Sequence, residues 1–353
     1  MAVRLLARTL RGLEDVAAGE LAERGLGEVQ SSRHREVWFT VARPDPRLLD
    51  LRTVDDLFLL ARVLEDVGHT KVELAKFTEA ARSVDLSALL RHRLDCGGPP
   101  DATGVDVAAS FLGKRNYNRY DVEDAIGPEI AAAIGLPYHS RRGGQAPPPR
   151  TLSFRVTIEG DRATLALRIG DQPLHRRSYK QTSTPGTLHP PLAAAMALLA
   201  GATPTDTVLD PCCGTGTIII ETAALAPGAR LLGADHDHRP LAAATANAAL
   251  TATTATWVRS DAARLPIGSG TVDRVVSNPP WDRQVPAQGA LAARPDRLFR
   301  EVRRVLSGPG PAVLLLHEAE DQLPAAKSAG LRVRDLRPLS LFGAHPSIVT
   351  LTA

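Results

Sequence analysis

The stretch Thr207-Val208-Leu209-Asp210-Pro211-Cys212-Cys213-Gly214-Thr215-Gly216-Thr217-Ile218-Ile219-Ile220 decides the fold of the second half of this 353-residue chain. Its first four residues read as a short strand, the proline and glycines as a sharp turn, and 217–225 as a helix. The same alternation continues downstream. Strands are predicted over 207–210, 230–235, 256–261, 272–277 and 312–317, and helices over 192–200, 217–225, 240–250 and 296–306. Nearly continuous apolar strands separated by helices predict a parallel, doubly wound α/β sheet with both faces covered.

In such a sheet, ligands bind beyond the carboxyl ends of the strands, where a glycine turn lets backbone come close to them. Gly214 and Gly216 suit that role after the first strand. The turn lacks the third glycine of a dinucleotide fingerprint and the Gly-Lys-Ser/Thr of a phosphate loop, which argues against both ligands. The second strand ends in Asp235-His236, where a carboxylate can accept from ribose hydroxyls. The third ends in Asp261-Ala262, with Asp261 suited to an adenine amino group and the Ala262 N–H to a ring nitrogen. The fourth runs into Ser277-Asn278-Pro279-Pro280-Trp281. An exocyclic amine attacks a methyl donor only when its two N–H bonds are held so that the nitrogen lone pair faces the methyl. The Asn278 side chain and the Pro279 carbonyl are two acceptors for that task, and consecutive prolines hold them with little freedom. Trp281 offers a stacking surface for a flat ring.

Outward from this half, residues 181–191 are rich in Thr, Ser, Pro and Gly and mark a change of domain. The upstream chain reads as α+β, with strands over 3–7, 36–41 and 105–110, helices over 13–24, 71–90 and 122–134, and a hairpin of 152–158 with 163–169. Net charge is only +3, but residues 110–180 carry 12 Lys/Arg against 7 Asp/Glu, a footprint expected for a polyanion partner. No run approaches the ~18 apolar residues of a membrane span, and the N-terminus lacks the apolar segment of a secretory signal. Three cysteines without C-x-x-C spacing and ten scattered histidines form no zinc pattern. A cytoplasmic protein without a metal or a membrane contact is expected.

The second half resembles the class I S-adenosylmethionine-dependent methyltransferases of the amine-directed branch, which carry an Asn/Asp-Pro-Pro-aromatic motif. With Gly12-Leu13-Glu14-Asp15, Gly113-Lys114-Arg115-Asn116-Tyr117-Asn118-Arg119-Tyr120 and Leu174-His175-Arg176-Arg177-Ser178-Tyr179-Lys180, the whole chain is similar to the THUMP-containing RNA guanine-N2 methyltransferases. The resemblance implies a ferredoxin-like domain over 1–65, a THUMP RNA-binding domain over 66–170, a linker over 171–187 and a Rossmann-like methyltransferase domain over 188–353. It implies methyl transfer from S-adenosylmethionine to the N2 amine of a guanosine in tRNA, with the acceptor stem favoured; the sequence carries no clear oligomeric signal, and a monomer is the expectation. Ribosomal RNA is the alternative substrate; a DNA adenine or protein glutamine methyltransferase, a non-enzymatic RNA-binding protein and a small-molecule methyltransferase are the competing classes. Carried over, Asp210, Gly214 and Gly216 border the methionine part of the donor, Asp235 and His236 the ribose, and Asp261 and Ala262 the adenine. Asn278 and Pro279 hold the guanine amine under Trp281, Asn278 also bordering the donor. Arg115, Asn118, Arg119, Arg141, Arg142, Arg176, Arg177 and Lys180 are the candidate RNA contacts. Two departures from the family motif stand out: Trp281 in place of Tyr or Phe, and Asp282 in place of the Gly that often follows.

Overall fold

The computed structural model describes residues 2–280, 286–341 and 343–353. These fall into two compact units: residues up to Arg8 with Ala18–Leu174, and Thr9–Ala17 with His175–Ala353.

The first unit carries β1 (Val3–Arg8), most of α1 (Glu14–Glu23), β2 (Glu28–Arg33), β3 (Glu36–Val41), β4 (Asp56–Leu64), α2 (Leu74–Arg82), α3 (Leu86–Asp95), β5 (Gly104–Phe111), α4 (Arg119–Ile134), β6 (Thr151–Glu159) and β7 (Arg162–Arg168). Its strands form one sheet in the order β2-β3-β1-β4-β7-β6-β5, antiparallel except where β5 lies beside β6. Residues 1–65 and 66–170 both supply strands to it, because β4 pairs with β1 on one side and β7 on the other. The β6–β7 hairpin closes over Gly160 and Asp161, with Gly160 at φ 60°, a conformation that favours glycine at the head of a two-residue turn. The single helix predicted over 71–90 is instead two. The first ends at Arg82 with Ser83 at its C-cap, and Asp85 caps the second, its carboxylate accepting the Ala88 N–H at 2.9 Å.

The second unit carries α5 (Pro190–Ala200), β8 (Thr207–Asp210), α6 (Thr217–Leu225), β9 (Arg230–Asp235), α7 (His238–Ala249), β10 (Thr256–Arg259), β11 (Arg274–Ser277), α8 (Gly289–Ala293), α9 (Asp296–Val305), β12 (Pro311–Leu316), α10 (Ala319–Ser328), β13 (Arg332–Pro338) and β14 (Ser347–Thr352). The sheet order is β10-β9-β8-β11-β12-β14-β13, parallel from β10 to β12, with β14 antiparallel to both its neighbours. Side chains alternate between two cores. Val208, Val276, Val313, Leu315 and Ile348 pack with α5 and α6, whereas Leu209, Val275, Leu314 and Val349 pack with α9 and α10. Burial on both faces explains why these strands read as continuous apolar runs.

Residues 9–17, inside the expected 1–65 domain, also belong here: Leu10, Leu13 and Val16 share a core with Leu192, Met196 and Leu339. The doubly wound architecture reverses strand order on either side of β8, so the crevice beyond β8, β9 and β11 is where such a sheet binds its ligand.

Candidate active site

A cavity of about 290 Å³ occupies that crevice. Its walls come from the carboxyl ends of four strands (Asp210, Asp235 with His236, Asp261 with Ala262, Asn278 with Pro279), the turn 211–215, and residues 184–189 ahead of α5. Local geometry fixes each group. Gly214 takes φ 52° and Gly216 φ 80°. Asp235 holds this turn, its Oδ2 accepting the Gly214 N–H at 2.9 Å while Oδ1 accepts the Asp237 N–H at 3.0 Å. Gly216 does not line the cavity among the described residues. It starts α6, and a Cβ there would lie 2.8 Å from the Trp257 ring and 3.0 Å from Ala244. Its requirement is therefore packing and turn geometry.

Asp210 is fully buried. Its Oδ1 accepts the Ser277 hydroxyl at 2.7 Å and the Cys212 N–H at 3.1 Å, which ties the end of β8 to the end of β11. Burial pushes this carboxyl up to about 7, assisted by the charge of Asp235 and opposed by the Ser277 and Cys212 hydrogen bonds. Burial also raises the thiols of Cys212 and Cys213 well above their ordinary value, so both stay protonated and pack as small apolar groups. Asp261 accepts the Ala263 N–H through Oδ1 at 2.9 Å and the Ala290 N–H through Oδ2 at 2.7 Å, drawing the start of α8 to the cavity. The Ala262 N–H has no acceptor among the described residues.

Asn278 differs from these in one respect. Its Oδ1 is buried and has no hydrogen-bond partner among the described residues, while Asn278 as a residue contributes to the cavity lining. An unpaired buried acceptor costs about 1–3 kcal/mol, and such atoms in folded proteins need a reason. A donor group brought by a ligand supplies one. Trp281 and Asp282 lie outside the described residues.

The family described as UPF0020, RMKL-like, methyltransferase domain matches residues 177–345. Over 362 aligned residues the chain is 30% identical to a tRNA (guanine(6)-N2)-methyltransferase of Thermus thermophilus, covering 98% of each protein. The chain belongs to this methyltransferase family. Among solved structures, TrmN from Thermus thermophilus superposes with a TM-score of 0.78 at 27% identity, over 99% of both chains. A putative methyltransferase, SMU.472, crystallised with SAH, shares the fold with a TM-score of 0.67 at 17% identity, over 99% of this chain and 97% of that one.

The methyltransferase uses S-adenosylmethionine, and the cavity residues fit it. Asp235 and Asp261 keep free lone pairs after their backbone contacts, and Asp210 leaves Oδ2 without a donor among the described residues. These acceptors suit the ammonium, ribose and adenine donors of that molecule, and the Ala262 N–H suits a ring nitrogen. The wall at 184–189, the Ser277 tie to Asp210 and the cavity-lining Leu291, Leu341 and Ala344 carry no motif in the sequence. Only the Thr/Pro/Gly punctuation of 181–191 signalled any of them.

The methyltransferase's candidate RNA contacts are largely engaged within the protein. Arg115 donates to the carbonyls of Val67, Gly68 and Gly160 and stacks near Tyr117. Asn118 caps α4 in a reciprocal capping box with Asp121. Arg119 donates to the Tyr120 hydroxyl at 2.7 Å. Arg141 pairs with the buried Asp106, and Arg142 with Asp121 and Asp124 at 2.8 Å each. Arg177 donates to the buried Glu221 at 3.1 Å, and Lys180 to the Leu188 carbonyl at 2.9 Å. Arg176 is exposed with no ion-pair partner among the described residues.

Proposed function

We propose that this methyltransferase modifies the N2 amine of a guanosine in tRNA, the acceptor stem being the favoured region. The buried, unpaired Asn278 Oδ1 carries this reading, because it supplies one of the two acceptors that an exocyclic amine needs. Pro279 supplies the second through its carbonyl, and Trp281 stacks on the base. The full-length relative whose name specifies tRNA guanine N2 supports the choice of base and polymer. S-adenosylmethionine supplies the activated methyl. The chain's own residues bind and orient: Asp210 and the Gly214 turn border the methionine part, Asp235 with His236 the ribose, and Asp261 with Ala262 the adenine.

As the methyl arrives, positive charge grows on the amine nitrogen, and Asn278 and Pro279 stabilise it electrostatically. Alignment of amine and methyl in one cavity supplies most of the remaining acceleration. The N–H proton leaves to water after transfer. A paired guanosine must first be unstacked at a cost of a few kcal/mol, and aromatic stacking returns roughly 1–3 kcal/mol. Phosphate contacts by residues 66–170, acting as a THUMP-like module beside the ferredoxin-like 1–65 segment, supply the rest; 171–187 links them to the catalytic domain. The enzyme acts as a cytoplasmic monomer.

The test offers labelled S-adenosylmethionine with separate tRNA, ribosomal RNA, DNA and protein pools, followed by nucleoside mass spectrometry. N2-methylguanosine in tRNA is expected. Label confined to DNA or protein, or 6-methyladenosine as the product, overturns the reading. In the same assay Asn278→Ala should lower kcat by about 10²–10³-fold, the range for losing one preorganised electrostatic contact.

A further inference from the structure

The segment 177–188 is pinned to the second unit by buried side chains that no cofactor motif contains. Tyr179 is buried and donates its hydroxyl to Glu221 of α6 at 2.7 Å, on the carboxylate that also receives Arg177. Lys180 closes the segment on itself through the Leu188 carbonyl. Between these anchors sits Asn247, 1% exposed, in the last turns of α7. Its Oδ1 accepts the Thr182 N–H at 3.1 Å, and its Nδ2 donates to the Thr182 carbonyl at 2.9 Å and to the Thr215 carbonyl at 3.3 Å.

One amide group thus holds both backbone groups of Thr182 and one backbone group of the Gly214-Thr215-Gly216 turn. A second tie runs parallel to it, from the Thr215 hydroxyl to that of Thr187 at 3.4 Å. Thr187 in turn closes a local turn with Thr184, through the Thr184 N–H at 2.8 Å and the Thr184 carbonyl at 2.7 Å. Residues 184–189 and 210–215 both line one cavity, and Asn247 bonds to the backbone at or just before each stretch.

Its setting in the helix is also informative. Asparagine is a poorer helix former than alanine, and its neighbours Ala246, Ala248 and Ala249 are all alanine. A buried asparagine there is accounted for by the hydrogen bonds it makes, three of its four.

We propose that Asn247 is a positioning residue for the methyl donor: by clipping Thr182 to Thr215 it holds two adjoining stretches of the donor-cavity lining, 184–189 and 210–215, in place. The segment 177–188 is then a structural part of the donor site, which accounts for Arg177 and Lys180 being turned to internal partners. The proposal rests on the cavity being the donor site and is independent of which base is methylated.

The test uses S-adenosylhomocysteine binding by calorimetry on the full chain, without RNA. Asn247→Ala and Asn247→Asp should each weaken binding about tenfold or more, the second because a carboxylate cannot donate to Thr182 and Thr215. Leu241→Ala, a buried apolar truncation on the same helix, serves as the stability control. It should lower the thermal midpoint while leaving S-adenosylhomocysteine affinity within about twofold. In steady state, the Asn247 variants should raise KM for the donor and leave kcat at saturating donor and KM for RNA unchanged. Amide exchange over 182–188 should accelerate in Asn247→Ala while that of α6 does not change. Unaltered affinity in the Asn247 variants overturns the proposal, as does an equal weakening by Leu241→Ala. A wrong choice of base shows itself differently, as a different methylated product with these affinities intact.

Discussion

Asp210 and Asn278 sit at the ends of adjacent strands and are linked through Ser277, yet their chemistry differs because Asp210 Oδ1 holds two donors whereas Asn278 Oδ1 holds none among the described residues. Asp210 holds two donors on one oxygen inside a low-dielectric site, so burial dominates and its carboxyl rises to about 7. Relative to the unfolded value of ~3.9, the native carboxyl keeps a proton that the unfolded chain has released. Its contribution to stability is therefore full below about pH 4 and lost as pH rises through about 7. Asp210→Asn removes the titration. Its unfolding midpoint should fall less than that of the wild type between about pH 5 and 8, measured by thermal denaturation at matched ionic strength. A cationic donor ammonium favours the ionised carboxylate, so wild-type affinity for S-adenosylhomocysteine should tighten over the same range while the Asn variant's profile stays flatter. Parallel profiles for the two proteins would remove Asp210 from the donor site.

At the scale of elements, strand and helix identity in the catalytic half is set locally. The boundaries of β8, α6 and β9 coincide with their predicted ranges, because a turn bounded by Pro211 and Gly216 leaves no other way to divide the chain. The helix predicted over 71–90 failed for an equally local reason: its apolar spacing continues through Asp85, but the Asp85 carboxylate binds the Ala88 N–H and begins a new helix. Asn118 illustrates the same competition between capping and contact. In the reciprocal box its side chain accepts the Tyr120 and Asp121 N–H groups, and the Asp121 carboxylate accepts its own N–H. Asn118→Ala should lower stability by about 1 kcal/mol in urea denaturation, the usual value of a lost N-cap. RNA affinity should change by less than twofold; a large loss at unchanged stability would return Asn118 to the RNA surface.

At the scale of the whole molecule, charge has to be counted after pairing. Arg141 and Arg142 are offset by Asp106, Asp121 and Asp124, whereas Arg176 and Lys114 are exposed and have no carboxylate partner among the described residues. Each phosphate contact adds about 0.7–0.9 to the slope of log affinity against log salt. Arg176→Ala combined with Lys114→Ala should therefore flatten the RNA salt dependence by about 1–2, and Arg141→Ala with Arg142→Ala by much less while lowering the unfolding midpoint. A reversed ranking would place the RNA contacts on the paired arginines. Legibility follows the range of the interactions involved. The sequence alone determined the doubly wound half, the glycine turn and the strand-end residues Asp210, Asp235, Asp261 and Asn278, because period, punctuation and strand ends are written within a few residues of one another. Only the tertiary structure decided that β4 joins β1 to β7 in one sheet, that residues 9–17 pack with the catalytic unit, and that Arg177, Lys180 and Asn247 bond to Glu221, Leu188 and Thr182 within that unit. Those outcomes depend on pairs separated by tens of residues, where a side chain's role is set by the partner that folding brings to it.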